Sequence, residues 1–224
     1  MDKKDILQSI QEARKNAKKR KFVQTVDFVI NLKGLDLKKE TDRINTYVAL
    51  PFDRGKKVRV TALVGPELST KAKAVCDNII TSDIFKTIEK KEVKRLASHS
   101  DFFIAQSNIM PQVAAAFGKI LGPKGLMPNP KAGCVVGPTQ ELKPVIEKLK
   151  KIVHIQTKTD SVIRVPLGIE SMKDEELVEN ALLIYNTVVG LLPQEKNNLK
   201  SMMIKWTMGK PSILRLKELV EVKE

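Results

Sequence analysis

The chain has 224 residues, with 40 Lys and Arg against 26 Asp and Glu, a formal charge of +14, and 42% hydrophobic content. That hydrophobic content excludes wholesale disorder, and the length allows one large core or two modest ones. Charge of this size and sign points to a polyanionic partner, and no run of about eighteen apolar residues exists to cross a membrane.

The predicted elements follow in chain order. Over residues 5 to 19, Ile6, Ile10, Ala13 and Ala17 recur at helical spacing, with charge on the other side. QTVDFVINL (24 to 32) alternates, so Val26, Phe28, Ile30 and Leu32 face one way and Thr25, Asp27 and Asn31 the other, as in a half-buried strand. Two further extended runs, 44 to 50 and 57 to 64, are joined at Pro51-Phe52-Asp53-Arg54-Gly55. Gly65-Pro66 then interrupts the chain, and the texture changes to helix alternating with short apolar strand.

Leu68 to Cys76 is predicted helical, NII (78 to 80) a short buried run, and 82 to 98 a lysine-rich helix. FFIAQ (102 to 106) is continuously apolar, as in a parallel strand covered on both faces. A helix from Asn108 to Leu121, a glycine- and proline-rich loop, the strand CVV and a helix from Gln140 to Lys151 complete this part. IVHIQTK and SVIRVPLG return to antiparallel-looking strands. Lys173 to Leu192 is a helix opened by Ser171 and the acidic Asp174-Glu175-Glu176, and SMMIKWT with SILRLK forms a last strand pair around Met208-Gly209-Lys210-Pro211. The two ends share one texture and the middle has another. The expected class is α/β: an α+β outer domain of residues 1–65 plus 155–224, split by an inserted Rossmann-like α/β domain over 66–154.

The loop ILGPKGLMPNPKAG, residues 120 to 133, raises the question of a phosphate cradle. A Walker loop needs a second glycine five residues before Gly-Lys, but Gly118-Lys119 has Val113 there and Ile120 after it. A dinucleotide fingerprint opens a helix, whereas Gly122 and Gly125 follow one and are interleaved with Pro123, Pro128 and Pro130, which lack the N–H groups a cradle uses. What remains is a rigid basic loop presenting Lys124 and Lys131. Cys76 and Cys134 stand in no ligand pattern and read as buried small hydrophobes in a reducing cytoplasm. Two histidines, His99 and His154, are too few for an ordinary metal site, so neither metal nor cofactor is expected. The N-terminal stretch MDKKDILQSIQEARKNAKKRK has no apolar core of signal-peptide type. No catalytic cluster can be assembled from these few His and Cys, and no helix-turn-helix or zinc pattern appears.

ILGPKGLMPNP, after a helix through Ala114-Ala115-Ala116-Phe117, resembles the signature of the ribosomal L-one family, the large-subunit stalk protein. RKFVQTVDFVINLKGLD near the start, TKTDSVIRVPLG at 157 to 168 and TMGKP at 207 to 211 occur in the family order, so the resemblance, to an archaeal-type member, covers essentially the whole chain. It implies a non-enzymatic constituent of the large ribosomal subunit in the cytoplasm, binding a folded ribosomal RNA segment at the mobile stalk beside the tRNA exit site. It further implies contact with exit-site tRNA and release of deacylated tRNA, repression of its own message through an RNA-like leader, and a monomer off the ribosome. Family RNA contacts carry over to Phe22, Thr25, Ser201, Thr207, Met208 and Gly209, with Lys21 and Arg164 at positions the family keeps basic or polar.

The residues themselves support that assignment. In SMMIKWT, alternation puts Ser201, Met203, Lys205 and Thr207 on one face and Met202, Ile204 and Trp206 on the other. Hydroxyls read ribose and phosphate, lysine supplies charge, and Gly209 permits close backbone approach. Read alone, Phe22 is either an RNA contact or a staple between helix and sheet, and Met208 is either exposed or core. With 4% aromatic residues, a platform for stacked single-stranded bases is not expected; shape and backbone recognition is. Two positions depart from the family pattern. Trp206 stands where most relatives have Ser or Thr, and parity puts it in the core. Lys210 separates Gly209 from Pro211.

Overall fold

The computed structural model describes residues 2–39, 42–85, 87–138, 140–157 and 159–214. The chain opens with α1 (Lys3–Asn16), β1 (Thr25–Leu32) and β2 (Asn45–Ala49). Next come β3 (Val60–Val64), α2 (Pro66–Lys73), β4 (Asn78–Thr81), α3 (Lys90–His99), β5 (Phe102–Gln106), α4 (Met110–Lys124), β6 (Val135–Val136) and α5 (Leu142–Lys151). β7 (Ile152–Gln156), β8 (Val162–Ile169), α6 (Asp174–Leu191), β9 (Leu199–Trp206) and β10 (Ser212–Leu214) follow. The class is α/β, with an antiparallel sheet built from the chain's two ends and a parallel sheet from its middle.

In the first unit, Met1–Lys56 with Lys151–Glu224, the strand order is β10-β9-β1-β8, all antiparallel. β1 buries Val26, Phe28, Ile30 and Leu32 and leaves the alternate residues half-buried; β9 does the same with Met202, Ile204 and Trp206. These side chains pack on Ile6, Ile10 and Ala13 of α1 and on Leu177, Ala181 and Ile184 of α6. Each fully buried aliphatic side chain of this kind contributes about 1.5–3 kcal/mol. Arg14, in the last turn of α1, ties the layer together: it donates to Glu170 O at 2.9 Å and Met172 O at 3.2 Å, and pairs with Asp174 Oδ1 at 2.6 Å. Its guanidinium lies 5.4 Å from the centroid of the Trp206 ring, a cation–π contact under the sheet. α6 starts at Asp174, with the Lys173 N–H donating to Glu176 Oε2 at 3.3 Å, so Ser171 is not its cap. β2 and β7 form a separate antiparallel pair.

The second unit, Lys57–Lys150, contains the parallel sheet β4-β3-β5-β6. Every residue of β3 is buried, as in a strand covered on both faces. α3 and α4 pack through Val93, Ala97, Val113, Phe117 and Leu121 on Leu63, Phe103 and Ala105, with Phe85 and Phe117 edge to face at 5.1 Å.

Several expectations are corrected. The run 57 to 64 belongs to the inserted sheet, because β3 hydrogen-bonds in parallel with β4 and β5. The inserted unit therefore spans 57–150, where 66–154 was expected. Periodicity could not reveal this, since a buried strand reads alike in either sheet. Between Ser82 and His99 the chain makes a 3₁₀ turn at Ser82–Ile84 before α3 begins at Lys90; Lys86, in the expected basic helix, lies outside the described residues. Cys134 is buried but Cys76 is only half-buried. Burial pushes both thiols up to about 11, so neither is a thiolate near neutral pH. Of the expected last strand, residues 212–214 form β10, and 215–217 lie outside the described residues.

The outer unit closes on itself where the chain leaves and re-enters it. Ala49 pairs with Ile152, and the Leu50 N–H donates to Lys151 O at 2.9 Å. Asn180, fully buried, accepts the Phe52 N–H at 3.2 Å and donates to Leu167 O at 2.9 Å, which fastens the following segment to the same unit. Replacing residues 57–150 with a short glycine linker should leave a cooperatively folding sheet protein. Circular dichroism melting checks this, and loss of a cooperative transition contradicts it.

Candidate nucleic-acid interface

α1 and α6 cover one face of the four-stranded sheet; the other carries the polar halves of β1, β8 and β9. Register sets the rows. Ser201, Asn31 and Val162 stand side by side; Ile213, Met203, Val29 and Arg164 form the next row; Lys205, Asp27 and Pro166 the next. Arg164 and Ile213 are exposed, and the others in these rows are half-buried.

Beyond Trp206 the ladder continues through a side chain. The Thr207 N–H donates to Thr25 O at 3.0 Å, its hydroxyl donates to the same oxygen at 3.2 Å, and the Thr25 N–H donates to Thr207 Oγ1 at 3.0 Å. The Met208 N–H donates to Gln24 Oε1 at 3.3 Å, and Gln24, only 1% exposed, donates through Nε2 to Lys18 O at the same distance. The segment after α1 and the turn after β9 are thus fastened to each other. The turn closes with the Gly209 N–H donating to Trp206 O at 2.9 Å, and a Cβ on Gly209 would stand 3.1 Å from Trp206 Cβ. That glycine serves close backbone approach within the protein. Phe22 is 51% exposed and Met208 61%, so neither is a buried staple or a core residue. Lys21 is exposed beside Phe22.

Two residues on this face went unassigned in the sequence. The Asn31 amide donates to Ser201 Oγ at 2.8 Å, fixing that hydroxyl. Asp27 faces Lys205 across the β1–β9 pair. Partial burial raises the Asp27 carboxyl above its ordinary value of 3.8, against the opposing pull of Lys205. Alternation put both on the polar face, but their partners depend on register, which alternation does not determine.

The loop residues Gly122, Lys124, Gly125 and Lys131 lie in the second unit. α4 runs through Gly122 and Pro123 to Lys124, further than expected. It stops at Gly125, whose φ of 69° is left-handed; its N–H donates to Gly122 O and that of Leu126 to Leu121 O, a Schellman stop. Lys124 Nζ donates to Ser98 Oγ at 3.1 Å, which sets it beside α3, while Lys131 is exposed on the next turn. At the carboxyl ends of β3 and β5, where open parallel sheets take nucleotides, Gln106 Oε1 accepts the Gly65 N–H at 2.9 Å. The backbone donor at the N-cap of α2 is thus bonded within the protein.

A family model, the ribosomal protein L1p/L10e family, matches residues 13–210. The chain belongs to this family. It is 37% identical over 211 residues to the large ribosomal subunit protein uL1 of Pyrococcus abyssi, covering 93% of this chain and 94% of the relative. It is 39% identical over 204 residues to the protein of that name from Nanoarchaeum equitans, 89% and 94% covered. The uL1 of Methanothermococcus thermolithotrophicus is 39% identical over 214 residues, 95% and 98% covered. Membership of a ribosomal protein family makes the role structural and not enzymatic. Trp206 is fully buried under Arg14, and its indole N–H has no hydrogen-bond partner among the described residues.

Two expected outcomes follow from this geometry. Thr207→Val should destabilise the free chain by about 0.5–1.5 kcal/mol, because its hydroxyl is spent on Thr25. Chemical denaturation checks it, and an unchanged free chain contradicts it. For Asp27, a folded-state pKa above the unfolded one favours folding while the group is protonated, and that advantage is lost as pH rises through the folded value. Asp27→Asn should therefore gain melting temperature relative to the wild type at pH 7, and the gain should vanish below about pH 4, the unperturbed aspartate range.

Proposed function

We propose that the chain is a cytoplasmic constituent of the large ribosomal subunit that uses the open sheet face to bind a folded segment of large-subunit ribosomal RNA at the mobile stalk. One observation carries this reading: Lys205, Arg164, Ser201, Asn31 and the Thr25–Thr207 pair share the sheet face opposite α1 and α6, flanked by exposed Phe22 and Met208, in a chain of charge +14. Fixed hydroxyls and amides suit ribose and phosphate, while Lys205 and Arg164 supply the counter-charge. Phe22 and Met208 are exposed apolar groups of the kind that mark an interaction surface.

In this reading the basic α3, Lys124 and Lys131 of the second unit add electrostatic attraction toward tRNA at the exit site, and the protein assists release of deacylated tRNA. A message leader that imitates the ribosomal site would occupy the same face, so the chain would repress its own translation. Off the ribosome it is monomeric.

Filter binding to the stalk RNA across salt concentrations tests the proposal. The logarithm of the association constant should fall linearly with the logarithm of salt, and Lys205→Gln should flatten the slope by about one phosphate contact. A slope near zero overturns it.

A further inference from the structure

The open face does not end at β8. Beyond it, residues of β7 and β8, with Thr159 and Asp160, line a half-open cavity of about 280 Å³: His154, Gln156, Thr159, Asp160, Val162 and Arg164. The lining is mostly polar. The volume falls just below the roughly 300–1,000 Å³ of pockets for drug-sized ligands, which suits a ligand the size of one nucleotide.

One wall is rigid. The His154 ring stacks on Tyr47, its cross-strand partner, with centroids 4.4 Å apart and planes 10° apart. His154 Nε2 also lies 2.7 Å from Asn45 Oδ1, in a hydrogen bond that fixes the ring's orientation. An aromatic group held on two sides is a preorganised surface for a planar ligand.

The polar groups narrow the choice. Arg164 stands at the β8 end of the Ile213–Met203–Val29 row, and its guanidinium suits a phosphate. Asp160 does the opposite: in a chain built to attract polyanions, a carboxylate in the cavity repels phosphate and accepts hydrogen bonds only. Its two oxygens match a ligand with two adjacent N–H donors. Among the common bases, guanine alone presents such a pair, N1–H and the 2-amino group, on its Watson–Crick edge. Adenine offers one donor group there, cytosine one, and uracil a single N–H between two acceptors. Gln156 and Thr159 add groups of either polarity for the remaining edge.

We infer that this cavity receives one unstacked guanine nucleotide of the bound RNA, with Asp160 reading the base and Arg164 neutralising its phosphate. The inference rests on the proposed use of the open face for RNA. It adds a single-base reader at the face's margin, where the face itself engages ribose and phosphate.

The test titrates the ¹⁵N-labelled full chain with 5′-GMP and with 5′-AMP, following the amide resonances of Gln156, Thr159 and Asp160. GMP should perturb them at about tenfold lower concentration than AMP, which lies within the discrimination given by a bidentate base contact. Asp160→Asn should bring the two nucleotides within about twofold, since an amide offers only one acceptor oxygen. Unchanged resonances elsewhere show that the variant is folded; if it is not, Asp160→Glu, which keeps the carboxylate, should retain the GMP preference. Equal response to both nucleotides in the wild type, no response, or a preference that survives Asp160→Asn overturns the inference. Binding of the stalk RNA by the same wild-type sample separates the two claims. RNA binding with a normal salt slope but no GMP preference removes the cavity's role alone. Absence of RNA binding removes the open-face reading.

Discussion

The pairing of β1 with β9 is the constraint on which the rest depends. It joins segments from opposite ends of the chain, Val26 against Trp206 and Ile30 against Met202. Between them residues 57–150 leave the outer unit and return, so the inserted unit can exist only if its two connections lie side by side. The Leu50–Lys151 hydrogen bond and the Ala49–Ile152 pair meet that requirement. The same pairing aligns two alternating strands in phase. Their apolar residues then form one continuous surface for α1 and α6, and their polar residues form one continuous surface on the opposite side. A slip of one residue in either strand would turn its apolar residues to solvent and dismantle both surfaces at once.

On that open face, polar groups bond to each other before they meet any ligand. Thr207 and Thr25 exchange hydrogen bonds, Asn31 holds Ser201, and Gln24 anchors Met208. Such mutual satisfaction lowers the ordering cost of binding, because donors and acceptors already stand in one geometry. It also changes the part Thr207 plays: its hydroxyl builds the turn that presents Met208 and Gly209. Asp27, half-desolvated beside Lys205, tempers the positive charge at the middle of the face. A face of unbroken cation would bind any polyanion, whereas mixed charge rewards a ligand of matching pattern.

The second unit shows how one composition serves different ends. Glycine and lysine near the end of α4 look like parts of a phosphate cradle. Gly125 instead ends a helix in the left-handed region, and Lys124 bonds to Ser98 of the neighbouring helix. A cradle turns free N–H groups toward a ligand at the start of a helix; here the motif follows a helix, and the exposed N–H groups bond back to the carbonyls of its last turn. Gln106 closes the corresponding position at the sheet's switch point.

By itself the sequence determined what is local or periodic. The alternation of QTVDFVINL and SMMIKWT put Val26, Phe28, Ile30 and Leu32 of β1 and Met202, Ile204 and Trp206 of β9 on the buried face, because successive strand residues point to opposite faces. The burial of Trp206 followed from the same parity, and the charge from composition. The order of family motifs determined the family. Only the tertiary structure decided what depends on which segments meet. The allegiance of β3 turned on hydrogen bonds to β4 and β5, distant in sequence, since a fully apolar strand fits either sheet. The exposure of Phe22 and Met208 turned on Gln24 fastening their segments together at the surface. The partners of Asn31, Asp27 and Thr207, and the cavity between β7 and β8, required a register between strands that no single strand encodes, because register is a property of the pair.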